Sequence, residues 1–112
     1  MSSIYKRLTV DQLHYLINHG ADPQLIDVRL PHEFAAAHVK GSINIPLPEI
    51  LQEPTPKAIE RSQRVCCLIC KDATKADSAA LILRQRGFSN VQVLAGGLKS
   101  WIALGFQLES FA

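Results

Sequence analysis

Apolar residues along this chain fall in short clusters whose spacing changes repeatedly, from three-to-four-residue steps to unbroken runs and back. Thr9-Val10-Asp11-Gln12 reads as a capping box, with Thr9 at the N-cap and Gln12 at N3, and Leu13, Leu16 and Ile17 follow at helical spacing up to Gly20. This predicts a helix over residues 10–19. After the turn Gly20-Ala21-Asp22-Pro23, the apolar run over 24–29 predicts a strand whose last residues are charged. Pro31 then opens a helix over 31–36, with Glu33 in its first turn. A second short strand over 42–45 is stopped by Pro46, and short helical turns are expected near 48–51 and 56–60. A strand over 64–69, a polar loop and an alanine- and leucine-rich helix over 75–86 capped by Gly87 come next. A strand over 91–94, the sharp turn Ala95-Gly96-Gly97 and a helix over 98–102 complete the pattern. Strands alternating with helices need crossover connections, which implies an α/β fold with a mainly parallel sheet covered on both faces.

Composition narrows the class. With 112 residues, 47% hydrophobic and 20% charged, the chain is neither a disordered tail nor a fibre, and a single domain over 1–112 is expected. Twelve Lys and Arg against ten Asp and Glu leave a net charge of +2, too small and dispersed for a nucleic-acid or polybasic membrane surface. No apolar run reaches the ~18–20 residues of a membrane span. The polar start Met1-Ser2-Ser3-Ile4-Tyr5-Lys6-Arg7 lacks the apolar stretch of a signal peptide, so a cytoplasmic location is expected.

All three cysteines lie within five positions, at Cys66, Cys67 and Cys70. An odd, clustered set is not a secreted disulfide framework. The pair Cys67-Leu-Ile-Cys70 has redox or zinc spacing, but it sits in a predicted strand, where side chains alternate faces. Val65, Cys67 and Ile69 should therefore point one way and Cys66, Leu68 and Cys70 the other. No metal site is expected, because no second such pair exists and His14, His19, His32 and His38 lack ligand-like spacing.

In open α/β sheets, ligands sit beyond the carboxyl ends of the strands. Two polar strand endings are candidates: Asp27-Val28-Arg29, and Cys70-Lys71-Asp72-Ala73-Thr74-Lys75-Ala76. A thiol ending a strand and followed by a tight loop into a long helix faces backbone N–H groups and the positive end of the helix dipole. That setting favours a thiolate nucleophile and can also hold an anion. Lys71 and Lys75 add positive charge. Cys66 and Cys67 read instead as small buried hydrophobes.

At this point the residues resemble a known family. Leu25-Ile26-Asp27-Val28-Arg29, Glu33-Phe34, His38-Val39, Gly41 and Asn44-Ile45-Pro46 are similar to the amino-terminal signature of rhodanese domains. Val93-Leu94-Ala95-Gly96-Gly97, with Trp101 and Gly105, is similar to their carboxyl-terminal signature, and Cys70 lies between the two. The resemblance covers nearly the whole chain in order. It implies a rhodanese-like three-layer fold, with a five-stranded mainly parallel sheet flanked by helices. It also implies a ping-pong sulfur transfer without a cofactor, in which Cys70 attacks the outer sulfur of thiosulfate and carries it as a persulfide. Amides from Lys71 to Ala76 would form the anion cradle, and Lys75 would bind the sulfonate end. The expected partners are a small anionic sulfur donor and a thiol, cyanide or protein acceptor. Arg29 would join the pocket or, with Asp27, Glu33 and His38, form a structural ion-pair network; both readings stand. Gly96, Gly97 and Trp101 are expected to serve turn and packing.

The loop departs from a common family pattern of cysteine, two variable residues, glycine, one variable residue, arginine and serine. Ala73, Lys75 and Ala76 occupy the last three defined positions. Ala73 would strain a turn suited to glycine, Lys75 lacks arginine's bidentate fork, and Ala76 lacks a hydroxyl. These changes keep open a non-catalytic sulfur-carrier or redox-sensing module. Cysteine phosphatases of similar fold have a loop typically one residue longer that ends in arginine, and Lys75 followed by Ala76 does not supply that phosphate clamp.

Overall fold

The computed structural model describes residues 6–111. Of the polar start, residues 1–5 lie outside the described residues. In chain order the elements are β1 (Lys6–Leu8), α1 (Val10–Asn18), β2 (Gln24–Asp27), α2 (Pro31–Ala36), β3 (His38–Val39), β4 (Ile43–Asn44), α3 (Leu47–Leu51), β5 (Cys66–Ile69), α4 (Thr74–Gln85), β6 (Val91–Leu94), α5 (Gly97–Ala103) and β7 (Leu108–Glu109). Five strands form one sheet in the order β1-β6-β5-β2-β4, with every neighbouring pair parallel. Antiparallel β3 and β7 form a separate two-stranded ribbon.

The central strand β5 is buried on both faces, and its alternation divides the core in two. Cys66, Leu68 and Cys70 pack with Ile50 of α3 and with Ala76, Ala79, Ala80 and Leu83 of α4. Cys67 and Ile69 pack with Val10 and Leu13 of α1 and with Leu98 and Trp101 of α5. This is the three-layer arrangement expected from the sequence. It separates Cys67 from Cys70, as strand alternation requires. Each fully buried leucine or isoleucine contributes roughly 1.5–3 kcal/mol, so the two apolar faces hold the helices to the sheet.

Local signals explain most boundaries. Thr9 Oγ1 accepts from the Gln12 amide, and Gln12 Oε1 accepts from the Thr9 amide at 2.9 Å, closing the capping box. Glu33 likewise reaches back to the Leu30 amide at 3.1 Å. The strand expected over 24–29 ends at Asp27, because Asp27 Oδ1 accepts the Arg29 amide at 3.0 Å and turns the chain. The strand expected over 42–45 shrinks to two residues, Ile43–Asn44. The turn expected near 56–60 is a single turn closed by the Ile59 amide on the Pro56 carbonyl, not a helix. β1 arises from Lys6-Arg7-Leu8, whose first two residues close the stretch read as a polar start. Charged residues suit an edge strand, and three residues leave too little alternation to detect.

Candidate functional site

The loop after β5 brings Cys70, Lys71, Asp72, Ala73, Thr74, Lys75 and Ala76 together at the carboxyl edge of the sheet. Cys70 Sγ accepts two backbone hydrogen bonds, from the Ala73 amide at 3.0 Å and the Ala76 amide at 3.3 Å. Aiming the Ala73 amide at the sulfur puts Ala73 in the left-handed region, at φ +92° and ψ −15°. Among the described residues it is the one non-glycine with positive φ. The Ala73 carbonyl accepts the Asp77 amide at 3.0 Å and so enters α4. The methyls of Ala73 and Ala76 face the apolar core, and these two residues offer the sulfur their amides only.

The charged side chains of the loop, on Lys71, Asp72 and Lys75, are exposed, as is Thr74. Asp72 Oδ1 accepts the Thr74 amide at 3.1 Å. Hydrogen bonds from Thr74, first its amide and then its side chain, with Lys71 assisting, hold the Asp72 carboxyl below the usual range. The mouth of the loop therefore carries a persistent negative charge between two lysines.

A second turn fixes the loop from above. The Leu98 amide donates to the Cys70 carbonyl at 2.8 Å and the Lys99 amide to the Lys71 carbonyl at 3.0 Å. Gly97, at φ +61°, permits this approach, since a Cβ there would lie 2.7 Å from the Lys71 carbonyl oxygen and closer still to that of Cys70. The turn role read for Gly97 thus extends to docking the cysteine loop, which the Gly-Gly pair signalled without revealing its target. Trp101 packs in the core and donates from Nε1 to the Gln107 carbonyl at 3.0 Å.

Arg29 is committed elsewhere. Its Nε lies 3.0 and 3.1 Å from the two Asp27 carboxylate oxygens, and Nη2 donates to Asp27 Oδ2 at 2.8 Å and to the Ala37 carbonyl at 2.6 Å. Asp27 is fully buried, and none of Arg29's hydrogen bonds reaches the cysteine loop. Asn44 Nδ2 secures the same corner through the carbonyls of Asp27 and Arg29. His38 Nδ1 donates to the Phe34 carbonyl at 2.6 Å, and its ring stacks on that of Phe34. Of the network read for Asp27, Arg29, Glu33 and His38, the Asp27–Arg29 pair is present, whereas Glu33 caps the Leu30 amide and His38 bonds the Phe34 carbonyl.

The remaining thiols are quiet. Burial pushes Cys66 up to about 12 against the opposing charge of Arg64, and burial raises Cys67 further. Cys66 lines a groove of about 420 Å³ formed by residues 60–64 and 87–91, at the amino ends of β5 and β6. The arginines there are engaged, Arg61 with the Arg86 carbonyl and Arg64 with Glu60 and the Asp22 carbonyl. Among the described residues, no helix is long and apolar enough to cross a membrane.

A parallel sheet in this strand order, with a cysteine cradled by amides at its carboxyl edge, places the protein in a defined class. Residues 9–104 match the Rhodanese-like domain family, and the chain belongs to it. It is 31% identical to the thiosulfate sulfurtransferase GlpE of Pseudomonas aeruginosa over 101 residues, covering 90% of this chain and 87% of that one. It is 38% identical to the uncharacterized protein YqhL of Bacillus subtilis over 78 residues, covering 70% of this chain and 60% of YqhL. It matches only 20% of the length of an adenylyltransferase and sulfurtransferase of Zea mays, at 33% identity over 85% of this chain. The chain thus spans less than two thirds of these last two relatives. In fold it is similar to a rhodanese-related protein from Thermoplasma volcanium, with a TM-score of 0.81, 28% identity, and 94% and 98% of the two chains covered.

Proposed function

We propose that this chain, a single rhodanese-like unit over 1–112, is a sulfurtransferase with Cys70 as nucleophile. The Cys70 thiolate attacks the outer sulfur of thiosulfate. The sulfur–sulfur bond of the donor breaks, and sulfite leaves with the electron pair. The persulfide on Cys70 then meets an acceptor nucleophile, cyanide or a thiol, which attacks the terminal sulfur and returns the thiolate. The observation that carries this reading is the pair of amides on Sγ, from Ala73 and Ala76. Donors already aimed at the sulfur stabilise its negative charge without reorganisation, in the thiolate and again in the persulfide. Lys75, exposed in the first turn of α4, supplies a monodentate cation for the sulfonate. The similarity to GlpE, named a thiosulfate sulfurtransferase, supports the same donor. A cytoplasmic location belongs to this reading.

The test is thiocyanate formation from thiosulfate and cyanide, with Cys70→Ser as control. The proposal expects product with the parent chain and none with the variant, and one added sulfur on Cys70 by intact mass. Equal rates would sink it. A sulfur adduct without turnover would point to the carrier reading.

A further inference from the structure

We propose that Arg7, on edge strand β1, is a positioning residue of the Cys70 site that acts through Asp77 by cancelling a carboxylate charge in the first turn of α4, the helix whose amino end holds the cysteine loop. The inference rests on the sulfurtransferase reading and adds a residue with no sequence signal of its own. Arg7 pairs in register with Val93 of β6, and Val93 with Leu68 of β5, so Arg7 lies level with a residue two before Cys70. Its Nη2 donates to Asp77 Oδ2, in the first turn of α4, at 2.6 Å. Asp77 is tied to the loop through the backbone. Its amide holds the Ala73 carbonyl at 3.0 Å, and the amide of the preceding residue, Ala76, sits on Cys70 Sγ at 3.3 Å.

The other carboxylate oxygen, Asp77 Oδ1, is buried and has no hydrogen-bond partner among the described residues. Solvent screens the pair in part, since the Asp77 side chain is 30% exposed and that of Arg7 45%, while the Oδ1 side of the carboxylate is shielded from it. Left alone, this charge would oppose both the sulfur anion and an incoming dianion such as thiosulfate. Paired with Arg7, it is neutralised, and the loop's positive end faces the donor. The pair thus sets the site's preference for anionic over neutral sulfur donors.

Arg7→Gln should raise KM for thiosulfate roughly threefold to tenfold with kcat little changed, the size expected of one charge acting through partly solvated protein. KM for an uncharged organic trisulfide should stay near the parent value. Arg7→Gln combined with Asp77→Asn should recover the thiosulfate KM, and Arg7→Lys should keep it. A pair that merely staples β1 to α4 predicts the reverse, with the double variant as impaired as the single and both donors affected alike. That result, or an unchanged KM in Arg7→Gln, overturns the proposal. Thermal melts of each variant separate misfolding from charge loss. Should the parent show no transfer above Cys70→Ser, the sulfurtransferase reading fails by itself. The charge effect is then read from carboxymethylation of Cys70. Arg7→Gln should slow anionic iodoacetate relative to neutral iodoacetamide, and the double variant should restore the ratio; an unaltered ratio overturns the proposal on this arm too.

Discussion

The amide of Ala73 points at the sulfur of Cys70 from 3.0 Å, and it does so from a left-handed backbone that an alanine rarely adopts. Straightening Ala73 into an ordinary conformation would turn that N–H away, so local strain and sulfur binding are one feature of the loop.

Magnitudes decide what substitution at Ala73 should do. Glycine relieves about 1–2 kcal/mol of left-handed strain, but it costs about 0.5–1 kcal/mol in unfolded-state entropy and about 0.8 kcal/mol for a buried methyl. Ala73→Gly should therefore change folding stability by less than about 1 kcal/mol and leave sulfur loading of Cys70 intact. Ala73→Val adds β-branching that positive φ does not accept, and should lose more than about 2 kcal/mol together with the persulfide. Denaturant unfolding and intact mass after thiosulfate treatment check both. Equal behaviour of the two variants would show that the left-handed turn does not hold the sulfur's donor.

Much of this arrangement was legible in the residues. The alternation of β5 separated Cys67 from Cys70, because a central strand buried on both faces has no freedom to twist its side chains out of register. Ala73 was marked as the strained position, and it is. Short pieces escaped. Two-residue strands such as β3 and β7 carry no periodicity, and β1 buries one apolar side chain, Leu8. Long-range contacts escaped for another reason. The docking of Leu98 and Lys99 on the Cys70 loop, and of Arg7 on Asp77, depends on strand order, which local spacing does not encode.

Arg29 separates a structural role from a substrate contact. Its guanidinium and the buried Asp27 carboxylate satisfy each other, so Arg29→Gln leaves a buried charge without its partner. Breaking such a pair costs about 3–5 kcal/mol. The expected outcome is a large drop in denaturation midpoint, with KM for thiosulfate within about twofold of the parent in whatever fraction stays folded. A raised KM at unchanged stability would return Arg29 to the donor site.

Lys75 should behave in the opposite way. It is exposed in the first turn of α4 and forms no ion pair among the described residues, so Lys75→Ala should leave stability within about 0.5 kcal/mol. Loss of its charge should raise KM for thiosulfate several-fold, and Lys75→Arg, with a bidentate fork, should lower it. Steady-state kinetics at two ionic strengths provide the check, since an exposed charge acts less at high salt. An unchanged KM in Lys75→Ala would remove Lys75 from the site.

The two quiet thiols make a pH prediction whose sign follows from linkage. Burial keeps Cys66 protonated in the folded chain up to about 12, against an ordinary value of 9.0, and shifts Cys67 in the same direction. Above the ordinary value the unfolded chain has released these protons while the folded chain retains them. Stability from this source is complete below pH 9.0 and falls as pH rises toward about 12. The slope is up to about 1.4 kcal/mol per pH unit for each thiol. Cys66→Ala combined with Cys67→Ala should be less stable at neutral pH through lost packing, yet lose stability more slowly than the parent on going alkaline. Urea unfolding at a neutral and an alkaline pH measures both slopes, and the difference between them isolates the thiols from lysine and tyrosine titration common to the two chains. Parallel slopes would mean that the thiols ionise alike in folded and unfolded chains, and that burial does not silence Cys66 and Cys67.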